Sequence, residues 1–166
     1  EGSQVRQVST NAILHESYNG QTIQNDIGLI RLSQPLSFNQ NIQAINLDNS
    51  GNNWAGQVAT MAGWGRPSDA NPSASPSLRS VANPIITNAE CANVYGSDFV
   101  TSGVGCFSGA GGRGLCNGDA GGPVFIGTTL VGIMSFGSSA ACDAGYPTGF
   151  TRIAQYRDWI QGNTGI

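Results

Sequence analysis

Residues 116–123 read Cys116-Asn117-Gly118-Asp119-Ala120-Gly121-Gly122-Pro123. Two glycines follow Ala120 and one precedes Asp119, so the backbone can turn tightly here and expose its N–H groups. Such a loop can cradle a developing oxyanion with the amides of Gly118 and Ala120. On composition alone it is a glycine-rich turn, and the surrounding sequence narrows the reading.

Pro123–Ile126 and Thr129–Phe136 follow the loop as strand candidates. Residues 7–14, 57–64 and 84–87 are further candidates, and 27–32 (IGLIRL) is apolar enough for a buried strand. Glycine supplies 24 of the 166 residues, about twice its usual share, which with seven prolines means many turns and short elements. Residues 66–77 (RPSDANPSASPS) form a Pro/Ser-rich loop with no apolar anchor, expected to be mobile and open to nicking. Residues 152–162 break the β pattern: Ile153, Tyr156, Trp159 and Ile160 make one apolar stripe on a helix, with Gly162 as its stop. The elements sum to an all-β domain closed by a C-terminal helix.

Composition excludes several function classes. Seven Lys+Arg against ten Asp+Glu leave a formal charge of −3, without the basic surface that nucleic acid requires. A hydrophobic share of 39% with only 10% charged residues argues against intrinsic disorder. No apolar run approaches the roughly 18 residues that span a bilayer, so no membrane role is expected. No basic-then-apolar leader opens the sequence, so any secretory signal is expected to have been removed. The four cysteines, Cys91, Cys106, Cys116 and Cys142, form no CxxC pair and the single histidine, His15, lies far off, which disfavours a zinc site. Their even number suits two disulfides and an oxidising compartment, with three pairings open and free buried thiols as the other reading.

The 116–123 loop closely resembles the nucleophile loop of chymotrypsin-like (S1) serine proteases, in which GDSGGP surrounds the catalytic serine. Asn25-Asp26-Ile27-Gly28-Leu29-Ile30 resembles the segment around the triad aspartate, and Gly63-Trp64-Gly65 the family's GWG turn. Ser135-Phe136-Gly137 resembles the strand that pairs with substrate backbone, residues 147–150 the far wall of the specificity pocket, and 152–161 the terminal helix. The nearest flavour is the arthropod collagenolytic and chymotrypsin-like branch.

The resemblance implies two antiparallel six-stranded barrels: residues 1–56 as the end of the first barrel and the inter-barrel connection, and 57–166 as the second barrel and the helix. It implies the pairings Cys91–Cys106 and Cys116–Cys142, with a third family bridge missing at both ends, where Ala59 and Ile126 stand. It places Asp26 at the triad position, Gly118 and Ala120 at the oxyanion hole, and Asp119 where the activated N-terminus would pair. Gly114, Leu115, Ser135, Phe136, Gly137 and Thr148 would bind substrate. The pocket base lacks an acid, so large apolar or aromatic side chains are expected, and Asp143 reads as a solvated loop residue. No cofactor or metal is implied.

Three departures bear on function. Ala120 stands where the serine attacks, and a methyl group cannot attack. His15 precedes Asp26 by 11 residues and reads as an exposed loop histidine, not the catalytic base. The chain opens inside the first barrel, which would leave Asp119 unpaired. The expectation is therefore the C-terminal chain of a nicked molecule, held without a disulfide to an N-terminal segment of the same domain. Functionally it reads as a secreted peptide- or protein-binding pseudo-protease. The alternative is a genuine endopeptidase with an apolar P1 preference, Ala120 being engineered or standing for a modified or misassigned serine.

Overall fold

The computed structural model describes residues 4–166. Its first part is a two-stranded antiparallel ribbon, β1 (Asn11–Leu14) against β2 (Gly28–Arg31). The sequence led us to expect a buried strand over 27–32, yet Ile30 is 71% exposed and Leu14 76%. No further strand of the described residues covers this ribbon, and although Ile13 and Leu29 are half-buried, Leu14 and Ile30 lie open.

The second part is a closed barrel. Strands β4 (Val58–Gly63), β5 (Arg79–Ile86), β6 (Val104–Phe107), β9 (Thr148–Arg152), β8 (Thr129–Phe136) and β7 (Pro123–Ile126) pair in that order, and β7 returns to β4. The short β3 (Asn46–Leu47) lies parallel to β8. The expected strands at 123–126 and 129–136 form with those bounds. β5 begins well before the expected 84, and β6 was not anticipated.

Side-chain alternation along β4 points Ala59 and Met61 inward. They join Ile85, Phe107, Val124, Val131, Met134 and Phe150 in the barrel core. Ile126 packs on the same cluster, and the β4–β7 register carries Ala59 to it, so an apolar contact occupies the place of the family's third bridge. The Phe150 ring lies over two glycines on the strands flanking it. A Cβ at Gly105 would fall 2.4 Å from the ring and one at Gly132 2.2 Å, so the absent side chains are what admit the aromatic.

Cys91 and Cys106 are bonded, as are Cys116 and Cys142. The first bridge ties α1 (Asn88–Tyr95) to β6. α1 starts on a capping box: the Thr87 side chain accepts from the Glu90 amide, and the Glu90 carboxylate accepts from the Thr87 amide. A 3₁₀ turn (Ile153–Tyr156) leads into α2 (Arg157–Thr164). The apolar stripe faces inward, with Ile153, Tyr156 and Ile160 buried and Trp159 half-buried. The helix passes the expected stop at Gly162 and ends at Gly165, whose φ of 82° closes an αL cap on the Gln161 carbonyl. No helix among the described residues is long and apolar enough to cross a membrane.

Candidate functional site

The 116–123 loop is fastened from three sides. The Gly121 amide donates to the Met134 carbonyl at 2.8 Å, and the Met134 amide donates back to Gly122 at 2.8 Å. The Cys116–Cys142 disulfide holds its start, and a turn from the Asp119 amide to the Cys116 carbonyl (3.0 Å) shapes its middle. Gly118 at φ 100° and Gly121 at φ 85° occupy backbone that favours glycine. Ala120 sits exposed at the crest. Among the described residues neither the Gly118 nor the Ala120 N–H has an acceptor, so two backbone donors stand unused at the crest beside a methyl group.

Asp119 is not left unpaired as the sequence suggested. Its Oδ1 accepts from the Gly65 amide at 2.7 Å and its Oδ2 from the Cys116 amide at 3.2 Å. The carboxylate reaches this position because Gly63 and Gly65 lack side chains; a Cβ at either would collide with it. The correction has a simple cause: backbone amides can serve an acid as donors when no cation does. A cavity of about 320 Å³ opens beside it, between Gly63, Gly65, Arg79, Gly114 and Met134.

Asp26 is half-buried. The Ser135 hydroxyl donates to its Oδ2 at 2.6 Å, and the Thr151 hydroxyl donates to its carbonyl at 2.7 Å. Ser135 is available because β8 carries a register shift between Met134 and Phe136, which frees the residue between them from the ladder. Two non-glycine residues before Asp26 hold positive φ, Ile23 at 54° and Asn25 at 57°. Such conformations persist where surroundings over-determine them. Here the Tyr156 hydroxyl donates to Asn25 Oδ1 at 3.0 Å, and Asn25 Nδ2 donates to the Ser17 carbonyl at 2.8 Å. Burial, with a contribution from Asp26, pushes the Tyr156 phenol above its ordinary range, so it stays a neutral donor.

His15 is not the exposed loop residue the sequence suggested. It is half-buried, stacked on Trp159 with ring centroids 5.0 Å apart and edge-on to Tyr156 at 5.5 Å. Its Nδ1 accepts from the Ser17 amide at 3.2 Å. The aromatic stripe of the C-terminal helix provides the platform that holds it.

Gly114, Leu115, Gly137 and Thr148 converge. The Leu115 amide donates to Thr148 Oγ1 at 2.9 Å, a Cβ on Gly114 would stand 3.0 Å from that oxygen, and one on Gly137 would stand 3.6 Å from Leu115 Cδ2. Thr148 is 1% exposed, so its hydroxyl is a structural peg. The Phe136 ring faces inward, edge-on to Tyr95 at 5.3 Å, so Phe136 offers the surface its backbone. The Tyr95 hydroxyl in turn donates to the Pro147 carbonyl. Asp143 is exposed and accepts from the Asp69 amide at 3.1 Å.

The 66–77 loop lacks an apolar anchor, as expected, but polar groups tie it down. The Arg66 amide donates to the Asn117 carbonyl at 3.0 Å, and its guanidinium donates to the carbonyls of Asn71 and Asp69 at 2.8 and 2.7 Å. The Asp69 carboxylate accepts from the Cys142 and Asp143 amides at 2.8 and 3.2 Å. Sequence reasoning missed Asp69, and no sequence signal marks it, since its acceptor role is met by distant backbone. Asp69 also approaches the sulfurs of Cys116 and Cys142, but these are spent in the disulfide and supply no thiolate ligand to a metal.

A closed six-stranded barrel, a C-terminal helix, a Gly-Asp-Ala-Gly-Gly loop bonded to Met134, and an aspartate bonded to the neighbouring Ser135 define a chymotrypsin-like serine protease fold. The family model described as Trypsin matches residues 1–160, and the chain belongs to that family. It is 45% identical to brachyurin from Leptuca pugilator over 166 residues, all of this chain and 72% of that protein. It is 37% identical to chymotrypsin from Phaedon cochleariae, covering 97% of this chain and 58% of that one. A solved structure titled HL collagenase superposes with a TM-score of 0.87 at 34% identity, over 95% of this chain and 69% of the other. These relatives match the arthropod collagenolytic, chymotrypsin-like branch.

Proposed function

We propose that this chain belongs to a secreted peptide-binding pseudo-protease that keeps the groove of a chymotrypsin-like enzyme without acyl transfer. One observation carries the reading: a methyl group at residue 120 stands exposed between glycines whose loop geometry is otherwise intact. Losing the nucleophile of a comparable triad lowers turnover by about a million-fold. That corresponds to about 8 kcal/mol of barrier. The packing of His15 against Trp159 also supports a chain without its own base.

Binding would use β-augmentation, an extended peptide laid along the backbone of residues 135–137. The Gly118 and Ala120 amides would receive a peptide carbonyl oxygen. Gly114, Leu115, Gly137 and Thr148 would flank a side chain of apolar or aromatic type, with no carboxylate among these four to favour Lys or Arg. Residues 1–56 would be the end of a first barrel and 57–166 the second. The exposed Leu14 and Ile30 support a further segment of the same domain as the partner that covers the ribbon. Two disulfides support an extracellular site.

The test is the Ala120→Ser change in the native protein, assayed on a chromogenic peptide with an aromatic P1 residue. The reading expects no hydrolysis by the parent and firm binding of the peptide. Hydrolysis by the parent, or a phosphonate adduct on residue 120, overturns it. The otherwise intact Asp26–Ser135 pair supports a second reading, a genuine endopeptidase whose natural residue 120 is serine; sequencing the encoding gene at that codon decides between them.

A further inference from the structure

We propose that Asp69 is a positioning residue for the peptide groove, acting through a strap that joins the two walls of the candidate site. This deepens the peptide-binding reading and rests on it. The strap starts where the Arg66 amide donates to the Asn117 carbonyl, one residue before the oxyanion-type amides. It continues through the Arg66 guanidinium, which donates to the Asp69 carbonyl at 2.7 Å and fixes the turn that presents the aspartate. It ends in a reciprocal box: Asp69 Oδ2 accepts from the Cys142 and Asp143 amides at 2.8 and 3.2 Å, while Asp143 Oδ2 accepts from the Asp69 amide at 3.1 Å.

What the box holds is the entrance of the pocket. Cys142 is bridged to Cys116 at the start of the 116–123 loop, and its carbonyl lies 3.5 Å from the Cβ position of Gly114. Residues 143–146 are exposed, so side-chain burial does little to fix them. Before Thr148 enters β9, the attachments of this wall to the rest of the fold include the disulfide, the Tyr95 hydroxyl on Pro147 and the Asp69 box. A carboxylate bonded to two consecutive amides is a charge-assisted clamp of specific geometry. It places a Pro/Ser-rich segment, whose sequence reads as a mobile loop, in control of the groove's width.

The experiment compares the native protein with Asp69→Ala and Asp69→Asn. Amide hydrogen exchange is read at residues 142 and 143, and binding of fluorescein-labelled Ala-Ala-Pro-Phe-amide is read by anisotropy. We expect Asp69→Ala to raise exchange at those two amides while leaving the β7–β8 amides unchanged. It should also weaken peptide binding about three-fold, the scale of one exposed charge-assisted contact. Asp69→Asn, which keeps an acceptor oxygen, should recover most of both. Unchanged exchange at 142 and 143 overturns the proposal, as does faster exchange with unaltered peptide affinity. If the parent binds no peptide, the peptide-binding reading fails, while the exchange arm still decides whether Asp69 holds the wall.

Discussion

Phe150 supplies the sharpest test of how the barrel is packed. Its ring is 2% exposed and occupies space left by Gly105 on β6 and Gly132 on β8. Phe150→Ala removes a fully buried aromatic from a site walled by backbone that cannot collapse far, so a loss of about 3–5 kcal/mol is expected. In a chain of this size that lowers the thermal midpoint by roughly 6–20 °C. Gly132→Ala attacks the same contact from the other side, because the new methyl would start 2.2 Å from the ring, and overpacking of this kind costs about 1–3 kcal/mol. The two changes are not independent. With the ring gone, the methyl at 132 enters the vacated space, so the double variant should be more stable than the sum of the singles by about 0.5–3 kcal/mol. Urea unfolding followed by tryptophan fluorescence measures all four proteins. Additivity within about 0.5 kcal/mol would refute the ring-over-glycine account.

Other outcomes follow from the same geometry. Thr148→Val keeps the shape but leaves the Leu115 amide without its acceptor, a loss of about 1–3 kcal/mol in chemical unfolding. Thr87→Ala removes the cap of α1 and should lower stability by about 1 kcal/mol, read by thermal unfolding. Acidification should weaken the fold through Asp48. Burial alone would raise its pKa, but the Trp54 indole, the Ser50 amide and hydroxyl, and Arg152 outweigh this and hold it below 3.8. A depressed folded value means the stabilisation is present above the unfolded pKa and disappears as pH falls through the folded one, so the loss should appear below about pH 4. Asp48→Asn should remove that part of the acid transition, measured as urea midpoints from pH 6 to pH 2.

The fold was legible where pattern and packing agree. The runs after the 116–123 loop read as strands because both are short β-rich runs with turn signals between them, and the 153–160 stripe was visible because its helix buries one face. β6 escaped because its four residues are all buried and show no alternation, inside a glycine-rich stretch. α1 escaped because it has almost no apolar face; only the Thr87–Glu90 spacing announces it. At the site, the glycine loop and Asp26 were legible through side-chain type. The Gly65 donor to Asp119 and the acceptor role of Asp69 toward Cys142 were not, since these partners are backbone amides, 54 and 73 residues away in sequence, that carry no side-chain signature. His15 was misread for a related reason: its neighbours Trp159 and Tyr156 are brought to it only by the docking of the terminal helix.

The seam between β4 and β7 is closed by Ala59 and Ile126 instead of a sulfur–sulfur link. Thiol reagents therefore have no purchase on barrel closure. A reductant can detach α1 from β6 and loosen the 142–148 wall, yet the cylinder itself stays shut, so reduction acts on the ligand-facing rim before it reaches the architecture beneath.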